Sequence, residues 1–397
     1  MPTHDLRSQR GFSLSEMLVS TTVLMGVMGA AFALVTPSTN SYKAQPEAAD
    51  MQQRMRVGQS AIQQDLLLAG AGTYSGIAVG TLLGYFSPIV PYRMGTLQND
   101  PTAGIVYRPD AITILYVPQT AAQTTIREAM PRPSAEVKVK WEPGCPESDQ
   151  LCGFEQGMRV VIFDETGAYD PFTVTQVQAE ALHLQHRDDT FSKSYDVGAV
   201  ISQVQQHTYY LNANPGTETF QLMHYDGYMR DEALVDDVVG LNFRYYGDPQ
   251  PPEVLSLTTR PYTTYGPKPP ALGVDNAGDP WGAGENCLFR VDAATGGQVS
   301  RIPDLAPGSV GLVEITPAML QDGPWCPGPA SLNRFDADML RVRRVGVSIR
   351  LQVASPDLRG PAGMLFTRPG TSKASARLVP DQEISFEVAP RNLNLGR

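Results

Sequence analysis

Hydrophobic positions along the chain mark two helical stretches and then a long series of strands. From Phe12 to Val35 there are 24 residues with a single charge, Glu16. A helix of that length spans about 36 Å, enough to cross a hydrocarbon core of about 30 Å. Arg7 and Arg10 precede it, against Asp5, and basic residues ahead of an apolar helix hold that end in the cytoplasm. Beyond Thr36-Pro37 the period changes. Ala48, Met51, Met55, Gly58, Ile62, Leu66 and Ala69 recur at steps of three and four, which is one apolar stripe of an amphipathic helix. Gln52, Gln53, Arg54, Gln63, Gln64 and Asp65 are assigned to the other face, and Gly70 and Gly72 end the helix. The stripe predicts packing against a sheet rather than a cofactor site.

Thr73 to Pro109 is punctuated by Gly and Pro and reads as loop. Strands are predicted at Ala111–Val117, Glu136–Trp141, Met158–Asp164, Phe172–Gln178, Ala181–Gln185, Val200–Val204, Thr208–Leu211 and Phe220–Tyr225, the later ones as one meander. Leu234–Tyr246 is the strongest, with Leu241, Phe243 and Tyr245 alternating on one face. Residues 247–335 read as an insertion, holding 14 of the 33 Pro, Cys287 and Cys326, and Trp281 and Trp325. Such a loop either carries a partner-specific surface or covers a sheet edge. The sheet resumes at Met339–Val353 and ends at Ile384–Val388. Arg341, Arg343, Arg344 and Arg350 make the first of these the most basic strand. It is expected to be a solvated row paired with nearby acids, with contacts to an anionic partner such as DNA as the competing reading.

Composition narrows the class. The chain has 397 residues, 36 Gly and a net charge of −10, so no global field draws it to nucleic acid or anionic lipid. With the apolar helix set aside, the remainder suffices for one large domain or a smaller one with an insertion. The four cysteines, Cys145, Cys152, Cys287 and Cys326, sit on the exported side and are expected in disulfides. Neighbourhood favours Cys145–Cys152 and Cys287–Cys326 among the three pairings.

Glu16 is the anomaly, because a carboxylate within an apolar helix needs a partner or a function. If the chain is cut between Gly11 and Phe12, the new amino group heads the helix four residues before Glu16. Glu16 can then neutralise that group on a neighbouring copy, and the penalty on an unpaired charge fixes the register of assembly. Gly11, Phe12 and Glu16 resemble the type IV prepilin signature position by position, with Ser13, Leu14 and Ser15 where that family usually has Thr, Leu and Ile. Asp65-Leu66 and Ala69-Gly70 are similar to a D-L-x-x-A-G stretch of the PilW-like and J-type pseudopilin groups. Tyr209-Tyr210-Leu211, Leu222 to Gly227, Leu234 to Tyr245 and the Arg391-Asn392 ending follow the order of PilW-like chains.

The resemblance implies an α+β, pilin-like fold: a long N-terminal hydrophobic α-helix packed on an antiparallel β-sheet domain. Residues 1–11 would be a leader, 12–36 a membrane or filament-core helix, and 37–72 its amphipathic continuation. Residues 73–246 and 336–397 would form the β-rich head, and 247–335 the Pro/Gly-rich insertion. It implies cleavage after Gly11 and methylation of Phe12 by a prepilin peptidase. The expected partners are major and minor pilins, the inner-membrane assembly platform, lipid around the N-terminal helix, and a surface ligand or DNA. The expected location is the inner membrane with a periplasmic head, then the pilus. Three other readings compete. An ordinary signal peptide would be cut after Ala31-Phe32-Ala33. A J-like pseudopilin would serve type II secretion, and a tethered adhesin or binding module would never polymerise.

No catalytic constellation and no cofactor motif is read in the sequence, and the expectation is a non-enzyme. The histidines are His4, His183, His186, His207 and His224. His183 and His186 fall on opposite faces of a strand, so no metal is expected there. Asp188-Asp189 and Asp236-Asp237 lack the spacing of a calcium loop and read as solvated turns.

Overall fold

The computed structural model describes residues 11–72, 81–95, 106–119, 122–141, 144–186, 191–214, 216–217, 219–257, 260–275, 280–358 and 379–394. The leader residues Arg7 and Arg10, His4 and Asp188-Asp189 lie outside them. One helix, α1 (Leu14–Leu68), runs unbroken through Pro37 and Pro46, each of which forfeits one helical N–H bond. The two predicted helical stretches are thus a single element.

The strands follow in chain order. They are β1 (Ile89–Val90), β2 (Ala111–Tyr116), β3 (Gln123–Thr125), β4 (Val137–Lys138), β5 (Arg159–Phe163), β6 (Tyr169–Thr173) and β7 (Gln176–Gln178). Next come β8 (His183–Gln185), β9 (Val200–Gln203), β10 (Gln205–Asn214), β11 (Thr219–Tyr225), β12 (Asp231–Asp236) and β13 (Val238–Gly247). Then β14 (Val254–Leu257), β15 (Arg260–Thr263), β16 (Phe289–Val291), β17 (Gln298–Ser300), β18 (Val313–Ile315), β19 (Trp325–Cys326) and β20 (Phe335–Asp336) lead to β21 (Val342–Leu351) and β22 (Gln382–Val388). The described residues form an α+β arrangement in which every ladder is antiparallel.

Two sheets carry the helix. One has the order β1-β2-β10-β11-β12 and the other β18-β13-β21-β22. The docked half of α1 packs on β12, β21 and β22. Met51, Met55, Ile62, Leu66 and Ala69 are buried there in the main core, as the stripe predicts. Gly58 marks the closest approach, since a Cβ on it would sit 3.2 Å from Leu222 Cδ2 and 3.5 Å from Val235 Cγ2. Gly58→Leu is therefore expected to lower stability by about 1–3 kcal/mol through overpacking. Gly58→Ala should change it little, because removing a helical Gly gains up to about 1 kcal/mol. The midpoint of urea unfolding reads both.

The meander expectation is corrected. Tyr116 at the end of β2 pairs with Gln205 at the start of β10, so the intervening chain leaves the sheet and returns where it left. Its strands form two small sheets, β3-β9-β5-β6 and β4-β8-β7, around a second core that includes Ile126, Val139, Leu151, Ile162, Phe172 and Leu184. This lobe is fixed to the main core by Phe86, which stacks on Tyr169 at 4.1 Å and meets Phe163 edge-on. The single strand expected at Leu234–Tyr246 is two. Asp237, at φ +59, breaks it into β12 and β13, which belong to different sheets.

Between β13 and β21 the chain makes short ladders, and one of them, β18, pairs with β13 and covers that sheet edge. Both disulfides form as neighbourhood favours: Cys145–Cys152 in the lobe and Cys287–Cys326 across the Pro-rich segment.

Candidate functional site: the exposed helix and its seam with the head

Gly11 and Phe12 precede α1 in non-helical chain, and Phe12 is 85% exposed. Ser13 is the N-cap. Its Oγ accepts the Glu16 N–H at 3.2 Å, while Glu16 Oε2 accepts the Ser13 N–H at 3.0 Å, a complete capping box. Within one chain, then, Glu16 serves its own helix start. A carboxylate offers about four acceptor sites, so capacity remains for a further donor.

Leu14–Ala33 is apolar enough to cross a membrane, with mean hydropathy 1.5 and none of its residues buried. Its Thr hydroxyls turn inward: Thr21 Oγ1 donates to Met17 O and Leu18 O, and Thr22 Oγ1 to Leu18 O. Both threonine donors are thereby satisfied within the helix, which suits an apolar medium. A helix of this kind near the N-terminus is a membrane anchor or a signal sequence, and the two disulfides fit an oxidising compartment.

The seam between helix and head is partly polar. Asp65, assigned to the solvent face by its chemistry, is 7% exposed. It lies three residues after Ile62 and four before Ala69, on the apolar stripe itself. Tyr209 OH donates to its Oδ2 at 2.6 Å and Tyr116 OH to its Oδ1 at 3.3 Å. His207 Nδ1 stands 3.4 Å from the same Oδ2 and 2.8 Å from His224 Nε2. Tyr116 stacks on His207, and His207 on His224. Burial pushes the His207 imidazole pKa down, against the pull of Asp65, and raises both phenols well above their ordinary values. Sequence reasoning passed over this cluster because His207 and His224 come together only through the register Tyr209↔His224, which makes them diagonal neighbours on one face.

At the helix end, Asn392 Nδ2 donates to Leu68 O at 3.3 Å and to Ala69 O at 3.4 Å. Gly70, at φ +76, lies so close to Leu393 that a Cβ there would come within 2.7 Å of its side chain. The Asp65–Gly70 stretch and the Arg391-Asn392 ending, far apart in sequence, therefore meet. Arg54 fixes the other flank through Asp237 Oδ2 at 3.0 Å.

The basic strand is not a solvated row. Arg341, Arg343 and Arg350 are buried and paired with Asp338, Asp248 and Asp381, and half-buried Arg344 pairs with Glu387 at 3.0 Å. Arg341, just before β21, and Arg343 and Arg350 within it thus turn to internal acids, and Arg344 alone of the four keeps a partly solvated side chain, so they present no row to phosphates. His183 pairs with Glu136 while His186 stacks on Phe191, two separate environments as expected. Asp237 is held by Arg54 and Asp236 by Gln221, so this pair is a structural turn.

No protein-family model, no curated protein and no solved structure matches the chain.

Proposed function

We propose that the chain is a type IV pilin-like filament subunit, of the PilW-like minor group. The observation that carries this reading is a wholly exposed 20-residue apolar stretch, Leu14–Ala33, continuous with a helix half docked on the head and preceded by Gly11, Phe12 and Glu16. A helix continuous from the apolar stretch to the docked half links membrane or filament core to the head. In this reading a prepilin peptidase cuts after Gly11 and methylates Phe12. Glu16 then receives the N-terminal ammonium of a neighbouring subunit, and the helix passes from lipid into a bundle of other pilins on the inner-membrane platform. The bulky head suits an initiating or tip position, because it crowds a helical shaft. The subunit organises and does not catalyse.

Mass spectrometry of the membrane-extracted protein tests the reading. A mature chain beginning at methylated Phe12 is the expected result; a start at Leu34 means ordinary secretion and ends the proposal. Glu16→Ala is expected to cut filament incorporation by at least about tenfold, since a charge left unpaired in apolar surroundings costs about 2.5 kcal/mol or more. Unchanged incorporation leaves a membrane-tethered protein that does not polymerise through this contact.

A further inference from the structure

The protons of the Asp65 cluster leave one converging set of lone pairs. Tyr209 spends its proton on Asp65 Oδ2 and Tyr116 spends its own on Asp65 Oδ1. Tyr116 O is also 3.3 Å from His207 Nε2, so it accepts there and His207 carries its proton on Nε2. His207 Nδ1 is then bare, and it faces Asp65 Oδ2 and His224 Nε2 at 3.4 and 2.8 Å. The three atoms all lie within 4.8 Å of one another. One thing that closes such a gap is a proton on His224 Nε2; the other is a metal ion.

We propose that Asp65 Oδ2, His207 Nδ1 and His224 Nε2 form a zinc site that pins the end of α1 to β10 and β11. Ligand atoms 2.0–2.1 Å from a tetrahedral zinc stand about 3.3 Å apart. The Asp65–His207 separation, 3.4 Å, is close to this value; His224 Nε2, half-exposed, has to move about 0.5 Å away from His207 Nδ1 and lies within 4.8 Å of Asp65 Oδ2. Two imidazoles and one carboxylate select zinc or a neighbouring transition metal over calcium or magnesium, which take oxygen ligands. The surroundings are those of a built site. The Tyr116 and Tyr209 hydroxyls orient the carboxylate, and Tyr116 holds the far nitrogen of His207, as outer-shell partners do around metal-bound histidine and carboxylate. Water completes the fourth position. The inference is independent of filament assembly, since it concerns how the helix is fastened to its own head.

The test uses the full chain in detergent, freed of metal with a chelator and titrated with zinc chloride. One zinc per chain, bound at micromolar affinity or tighter, with a rise of several degrees in melting temperature, is expected. His224→Gln should weaken binding at least tenfold while the metal-free variant melts where the metal-free parent does. Cobalt(II) in the unaltered chain provides a readout that needs no variant: the intense visible bands of a four-coordinate ion are expected. Substoichiometric zinc, equal binding by His224→Gln, or the pale spectrum of six-coordinate cobalt would each overturn the site.

Discussion

Arg341→Met is expected to lower stability by about 3–5 kcal/mol at pH 8, the range for breaking a buried ion pair from one side. Arg341 has no exposed surface. Its Nε lies 2.6 Å from Asp338 Oδ1, and its terminal nitrogens donate to the carbonyls of Pro249 and Pro303. One side chain thus ties the start of β21 to two points of the Pro-rich segment. Methionine fills most of the volume but leaves a carboxylate without its cation and two carbonyls without their donor. The loss should depend on pH. Burial already raises the Asp338 carboxyl to about 6 although Arg341 pulls it down. Without the guanidinium it rises further, so at pH 5 Asp338 is neutral and the loss should shrink by roughly 1–3 kcal/mol. Urea unfolding of the full chain in detergent at both pH values reads the difference. A loss under about 1 kcal/mol at pH 8, or one that ignores pH, would mean that Arg341 is not the partner that matters to Asp338. Arg341→Met combined with Asp338→Leu should recover most of the loss, since a buried pair replaced whole by apolar groups is often neutral.

Local patterns in this sequence were legible where burial follows one face. The stripe from Met51 to Ala69 is buried as spaced, and most predicted strands lie within a few residues of where they form. What could not be read is what depends on partners distant in sequence. Nothing local says that β2 pairs with β10 while the chain between them builds a second core. On β21 the alternation held: Val345, Val347, Ile349 and Leu351 are buried, while Arg344 and Ser348 on the other face keep some exposure. What could not be read is that Arg343 and Arg350 find acids, Asp248 and Asp381, that come from distant parts of the chain. Asp65 shows a subtler loss. Its position, in step with Ile62 and Ala69, pointed inward, and its chemistry pointed outward. Position was the better guide, because two tyrosines supply the donors that burial demands. The Glu16 end was legible as chemistry and remains so: its capping box follows from Ser13 three residues earlier, while its role between subunits rests on the resemblance.

Stability should fall, not rise, as pH climbs from 4.5 to 8, against the usual behaviour of carboxylate-rich proteins. Asp170 and Asp336 are 3% and 2% exposed, and burial raises their carboxyls to about 6 and about 7. A folded-state pKa above the unfolded value near 4 means that the folded protein holds the extra proton. The stabilisation is therefore complete below about pH 4 and is lost as pH rises through 6 to 7, with Asp170 accounting for about 3 kcal/mol and Asp336 for about 4 kcal/mol. The carboxylates whose pKa is lowered, Glu128, Glu285 and Asp292, act in the opposite direction, but all three keep contact with solvent, which screens their pairs and reduces their weight. His207, pushed down by burial, also favours higher pH and takes a little from the slope below about 6.5. Asp170→Asn isolates the effect. Asp170 Oδ2 accepts Ser192 N–H, Ser192 Oγ–H and Tyr195 OH, and its Oδ1 accepts Asn333 Nδ2. An asparagine keeps the first three bonds through its oxygen, and Asn333 receives the new NH2 by turning its amide, giving up only its 3.3 Å bond to Tyr169 O. The variant should match the parent at pH 4.5 and exceed it by about 1–3 kcal/mol at pH 8, where the parent carries a buried charge with no cationic partner among its bonds. Melting curves at the two pH values decide the matter: a variant that loses stability equally at both would show that the hydrogen bonds, not the charge, set the energy of this junction between lobe and head.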